Sequence, residues 1–153
     1  MLILLMKINN HQVGIDVKEV VEVIPNVPLF DVEKENTYEL CQGSLGYHGK
    51  HIPVFDLSDL LAFTPTEKSL SSRIIVSEMP NSSKDHKIGL IAAHLTSVMT
   101  IPLKQEQWRH AEQLMSLVQQ DGFVIHLLSV TRIMDCYYKY RDVSLLPKIG
   151  APV

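Results

Sequence analysis

Apolar residues fall along the chain in short runs with a period of two, punctuated by glycine, asparagine and proline, a pattern of strands rather than helices. Val13, Ile15 and Val17 alternate with polar neighbours, as do Ile52 and Val54, with Leu57 three places further on. Arg73–Val76 is a short buried run, and Ile88–Leu95 is nearly continuous apolar. The opening Met1–Met6 is too short for a membrane span and lacks a basic segment and a small-residue cleavage site. Lys7 breaks that run and Ile8 resumes alternation with Met6, so the pattern predicts a strand there. Asp121-Gly122, between Leu114–Val118 and Phe123–Leu128, is the strongest hairpin signal, because both turn residues tolerate positive φ. Trp108, Ala111, Met115 and Val118 stand at helical spacing, yet that turn needs a strand before it. The compromise is a short helix or turn over 103–110 and a strand from about 114. Thr131–Arg141, with Ile133, Met134, Tyr137 and Tyr138, predicts a terminal helix, and Asn81–Asp85 a solvated loop.

The pattern occurs twice. His11-Gln-Val-Gly-Ile15 matches His86-Lys-Ile-Gly-Leu90; Val20 and Val23 match Leu95 and Val98; and Ile24-Pro25 matches Ile101-Pro102. A second block, Gly49 to Leu61, lines up with Gly122 to Met134 and keeps apolar residues at the same offsets. Gly49 stands 38 residues after His11, and Gly122 stands 36 after His86. Two blocks in the same order at nearly the same spacing indicate a duplicated unit of about 70 residues. Such a unit buries only a thin core alone, so the two lobes are expected to pack on each other. Gly14 and Gly89, mid-strand in each copy, suggest a bulge or sharp bend.

Composition narrows the function. At 153 residues, 46% hydrophobic and 20% charged, the chain can bury a core and is not a disordered segment. Fourteen basic against 17 acidic residues leave a net charge of −3 with no basic cluster, so nucleic acid is not an expected partner. Cys41 and Cys136 have no Cys-x-x-Cys partner and read as buried intracellular thiols. His48 and His51, three apart on expected strand residues, tend to opposite faces, with no third ligand at metal spacing. His126 interrupts an apolar strand and is expected to be partly buried and hydrogen-bonded. Gly43-Ser-Leu-Gly46-Tyr-His-Gly49 matches neither a P-loop nor a dinucleotide fingerprint, so its glycines are expected to shape a β-turn. No Gly-x-Ser-x-Gly occurs, and Asp56 is placed to cap the turn after its strand. Nothing assembles a reaction, so no enzyme and no cofactor are expected.

Taken together, the two blocks resemble the chemotaxis coupling family, the CheW-like domains. The resemblance rests on Leu5–Ile8 with Gly14–Asp16 and Val20–Val23; on Gly43–Gly49 with Ile52–Leu57; on Ile74–Val76 with Ile88–Leu90; and on Phe123–Met134. It implies a mainly β fold of two small five-stranded SH3-like barrels sharing a hydrophobic core, with a short C-terminal helix. The whole chain would be one domain, with lobe one at about 1–66 and lobe two at about 70–140. It further implies a cytoplasmic, non-enzymatic adaptor joining the chemoreceptor tip to the regulatory domain of a CheA-like histidine kinase in a bacterial array. By position, Val20, Glu22, Gly43, Gly46, Tyr47, His48 and Gly49 match partner-binding surfaces of the family, and Asp56 is added to them. Three positions depart from the usual residue: His48 stands for an arginine, Ala93 for an aspartate and Ser129 for an aspartate or asparagine. Histidine is mostly neutral near pH 7, where arginine carries a permanent charge. The alternatives are a degenerate scaffold of another complex, self-assembling or pilus-type, and a small-ligand-binding β-barrel.

Overall fold

The computed structural model describes residues 1–31, 40–61, 71–78, 87–101, 115–120 and 122–140. Along them run β1 (Leu2–Ile8), β2 (His11–Asp16), a 3-10 turn (Val17–Glu19), β3 (Val20–Pro25), β4 (Cys41–Tyr47), β5 (Lys50–Asp56) and α1 (Leu57–Leu60). Then come β6 (Arg73–Glu78), β7 (Lys87–Ala92), β8 (His94–Thr100), β9 (Met115–Gln120), β10 (Phe123–Leu128) and α2 (Val130–Tyr140). The helix expected over 103–110, the loop at Asn81–Asp85 and the turn residue Asp121 lie outside the described residues. The hairpin expected around Gly122 is present, with β9 and β10 antiparallel and Gly122 at φ 81°.

Two five-stranded sheets form, in the orders β8-β1-β2-β10-β9 and β3-β6-β7-β5-β4. Each order becomes the other when every strand is replaced by its counterpart five places along the chain. The registers agree in detail: β2 and β10 pair in parallel with Gly14 opposite Leu127, and β7 and β5 do so with Gly89 opposite Val54. Those pairs are the ones the sequence repeat equates. The repeats are therefore real, but they exchange strands. Strands β1 and β2 are completed by β8 to β10, and β6 and β7 by β3 to β5. The expected division into lobes at about 1–66 and 70–140 is thus not how the sheets divide. The chain leaves the first sheet through Val17–Glu19 and returns to it through Ala93 alone. Periodicity identifies a strand but carries no information on which sheet it joins.

This exchange explains the continuous apolar runs. Along β1, Ile3 and Leu5 face the interior of the first sheet, while Leu4, Met6 and Ile8 face a central core between the sheets. Along β6, Ile74 and Val76 fill the second interior and Ile75 the centre. Strands buried on both faces need apolar residues at every position. Among the described residues, 18 buried side chains form the central core, against six and four in the two interiors. At roughly 1.5–3 kcal/mol for each large side chain, most of the burial energy lies between the lobes rather than within either. Helix α2 adds Ile133, Met134 and Tyr137 to that centre, and the Tyr137 ring meets Phe55 edge-on at 5.8 Å. The Tyr137 hydroxyl also accepts a hydrogen bond from the Leu40 amide at 3.0 Å, fixing the start of β4. Cys41 and Cys136 are half-buried against the same core rather than fully buried.

Two features of this architecture are set by close approach. Gly14 and Gly89 lie at no bulge; the register shifts fall at Leu5/Met6, Val20/Glu22 and Cys41/Gly43. A Cβ on Gly89 would stand 3.0 Å from both Ile74 Cγ2 and Val54 Cγ2, and one on Gly14 would stand 2.9 Å from Ile3 Cδ1. The barrel interiors are too narrow there for a side chain. The second feature is Glu19, which ends the 3-10 turn and caps α2. Its carboxylate accepts from the Thr131 hydroxyl at 2.7 Å, the Ser129 hydroxyl at 3.0 Å and the Val130 and Thr131 amides at 3.3 Å. These satisfy orphan amides and place negative charge at the helix start. The Glu19 carbonyl accepts from the Ser77 hydroxyl at 2.6 Å. One residue of the crossover thus ties β6 to α2.

Two outcomes follow for equilibrium urea unfolding. Gly89→Ala lowers stability by about 1–3 kcal/mol, because its neighbours are branched at Cβ and stiff; Gly14→Ala costs less, since the Ile3 terminal methyl can rotate away. Glu19→Ala lowers stability by about 2 kcal/mol through the lost cap, with little change in the denaturant slope.

Candidate functional site

The sequence-predicted residues gather at one end of the second sheet, where β4 and β5 make a hairpin. His48 and Gly49 form its two-residue turn with φ 48° and 78°. Both central positions are left-handed, as the turn matching the twist of a hairpin requires. Gly49 meets this at no cost and has open space around it. His48, expected on a strand, is held at the tip and exposed, its ring edge-on to Tyr47 at 4.3 Å. His51 lies on β5, its ring edge-on to Phe30 at 5.2 Å and Nδ1 3.3 Å from the Ser44 hydroxyl. The two histidines belong to separate surroundings. Among the described residues no group of three His, Cys, Asp or Glu could hold a metal ion.

Closure of the second sheet depends on Gly43. Beyond β3, Phe30 forms an antiparallel bridge with Ser44 of β4, with both amides 2.8 Å from the opposing carbonyls. Gly43 allows this approach: it takes φ 155°, and a Cβ would stand 2.8 Å from the Phe30 carbonyl oxygen. Gly46 is exposed, its missing Cβ only 3.7 Å from the Phe30 ring. A second tie spans the same edges, for the Tyr47 hydroxyl donates to Glu22 Oε2 at 2.5 Å. Together they join β3 to β4 and turn the second sheet into a barrel. Among the described residues β8 and β9, the edges of the first sheet, do not pair with each other.

Above the closure lies a shallow open depression of about 390 Å³, lined by Val21, Tyr47, His48, Lys50, Ile52 and Lys87. It is the mouth of the second barrel. Val21 is 44% exposed, while Ile52 belongs to the interior core and Tyr47 packs against it. Tyr47 and Glu22 are therefore brought together, with His48 beside them.

Val20 and Asp56 are placed elsewhere. Val20 is half-buried against the central core. Asp56, taken above as a partner residue, is 4% exposed and caps α1, accepting from the Ser58 amide at 3.0 Å. Its counterpart in the repeat, Ser129, starts α2 in the same way, with its hydroxyl accepting from the Arg132 amide at 3.4 Å. Both are structural caps. Burial, followed by repulsion from Asp56, holds the Asp59 carboxyl above its ordinary 3.8. Away from this site His126 is half-buried, donating from Nδ1 to the Gln12 carbonyl at 3.3 Å.

A family model, the CheW-like domain, matches residues 2–136. The chain belongs to the CheW-like domain family. This CheW-like domain is also similar in structure to the scaffolding protein TtCheW from Thermoanaerobacter tengcongensis. That likeness has a TM-score of 0.66 at 22% identity over 86% of each chain, and it shows the fold. No curated protein sequence matches the chain. Among the described residues, no helix is long and apolar enough to cross a membrane. Sequence reasoning missed four residues of this CheW-like domain's mouth: Val21, Lys50, Ile52 and Lys87. Lys50 and Lys87 each stand two places before an inward position of a strand, which is the signal that could have found them.

The Glu22 hydrogen bond, then desolvation and the Glu22 charge, raise the Tyr47 phenol above its ordinary 10.0. Glu22→Gln should bring it back down toward that value, read as one component of the tyrosinate absorbance of the chain's five tyrosines against pH, and Tyr47→Phe should remove that component. Because the folded value is raised, the tie's contribution to stability is present below about pH 10 and lost as pH climbs through the folded value.

Proposed function

We propose that this CheW-like domain is a cytoplasmic, non-enzymatic adaptor that couples chemoreceptors to a CheA-like histidine kinase in a bacterial chemosensory array. The observation that carries the reading is the family match across both intertwined sheets, residues 2–136, which takes in the whole hairpin and the barrel mouth. The scaffolding role named for TtCheW supports it. So does the chemistry of the exposed end. Val21, the aromatic ring of Tyr47 and a polar rim are the makings of a modest protein interface, with an apolar centre and charged edge.

In this reading Glu22, Tyr47, His48 and Gly49 face the partner. Gly43 lets the backbone approach that shapes the surface occur, Gly46 lies exposed on it, and Val20 and Asp56 hold it from below. His48 offers a partner carboxylate less than an arginine would, since an imidazole lacks arginine's permanent charge and forked donor set.

The test is calorimetric titration of the full chain against the kinase regulatory domain and a receptor-tip fragment from the same genome. Dissociation constants on the order of micromolar are expected, as for a transient interface. His48→Arg should tighten at least one of them. Absence of binding to both fragments would overturn the proposal.

A further inference from the structure

We propose that the mouth of the second barrel receives an acidic segment of a protein partner, with one apolar anchor over Val21 and Ile52 and flanking carboxylates on Lys50 and Lys87. The identity of the partner rests on the adaptor reading; the chemistry rests on the mouth alone.

Strand register places the two lysines. Ile52 and Val54 point into the interior of the second barrel, so Lys50, two places earlier, continues the same face beyond the core. Ile91 does likewise on β7, so Lys87 continues the face of Gly89 and Ile91. Two long stems therefore rise from an apolar floor, leaving their ammonium groups at the opening. They are the two lysines lining the depression, in a chain of net charge −3.

The neighbouring acids do not cancel them. Glu22 is engaged by the Tyr47 hydroxyl and lies outside the lining. Glu78 reaches Lys87 Nζ at 3.9 Å with 59% of its side chain exposed, a long surface pair that another carboxylate can replace. Glu22 keeps its charge under the neutral Tyr47 hydroxyl, but neither it nor Glu78 lines the depression, whose own lining carries lysines and no acid.

The size and charge select the occupant. A depression of about 390 Å³ with an apolar base takes one or two side chains. A polyanion such as nucleic acid would meet the net negative charge beyond two cations. A small metabolite is held in an enclosed site that buries most of its surface, which this open depression does not do. An apolar residue between carboxylates fits all three properties.

The test uses the isotopically labelled full chain, titrated with the blocked peptide acetyl-Glu-Leu-Glu-amide and with acetyl-Lys-Leu-Lys-amide. The acidic peptide should shift the amide resonances of Tyr47, Lys50, Ile52 and Lys87, more weakly as salt is added. The basic peptide should not shift them. The double variant K50E/K87E should bind the acidic peptide roughly tenfold more weakly, and K50Q/K87Q by a smaller factor. Shifts confined to other surfaces, equal binding of the basic peptide, or unchanged affinity in both double variants would overturn the proposal. Titrating the same variants against the kinase and receptor fragments separates the two readings. If the wild-type chain binds a fragment and K50E/K87E binds it equally well, the mouth proposal fails and the adaptor stands. If the wild-type chain binds neither fragment, the adaptor fails, and the peptide result alone judges the mouth.

Discussion

Strands that are apolar on both faces cannot be satisfied by one sheet, and this requirement organises the molecule. Each of β1, β6, β7 and β10 sends alternate side chains into a small barrel interior and into the centre. The centre exists only if two sheets meet there, so neither half of the chain can build it alone. The exchange of β3–β5 and β8–β10 between sheets follows the same logic, because it makes each sheet out of both repeats. Glu19 lies where this bargain is most exposed, in the three-residue crossing between sheets. By capping α2 from more than 100 positions away in the chain, it binds the crossing to the helix that seals the centre.

The price of such a topology is long-range pairing. Strand β2 finds β10 in parallel, and β1 finds β8, across most of the sequence. Contacts of that separation close large loops before they are repaid, which slows folding relative to a hairpin-built barrel. What is gained is rigidity at the barrel ends. The mouth of the second barrel is bounded by a backbone bridge at Phe30 and Ser44, a side-chain tie from Tyr47 to Glu22, and a left-handed two-residue turn. A surface framed by such elements is preformed, which lowers the ordering cost of binding.

The departures noted at His48, Ala93 and Ser129 acquire separate meanings in this frame. Ser129 is a helix cap, and with Glu19 it satisfies the amides that a longer acidic side chain would otherwise reach. Ala93 is a one-residue crossing, by which the chain returns from the second sheet to the first. His48 alone stands at the exposed tip, so of the three it is the one that can alter recognition directly.

Much was legible in the chain because periodicity and turn chemistry act locally. The strands around Val13, Ile52, Ile74, Ile88 and Phe123, the hairpin at Gly122, the terminal helix and the duplication were all readable, as was the cap role open to Asp56. The turn at Asn9 and Asn10, both at positive φ, was also within reach, since asparagine tolerates that conformation. What the residues could not reveal is which strands share a sheet, for a strand completed by its own repeat and one completed by the other present the same alternation. Close approach was equally hidden: Gly14 and Gly89 looked like bends until the opposing Ile3, Ile74 and Val54 were in place. The site followed suit. The hairpin tip and Glu22 were visible as residues, whereas the mouth with Lys50 and Lys87 exists only once the second sheet closes on itself. By itself, then, the sequence determined the strands, the repeat and the family, because those depend on neighbours along the chain. Only the tertiary structure decided the exchange of strands and the surface it frames, because those depend on groups that meet across it.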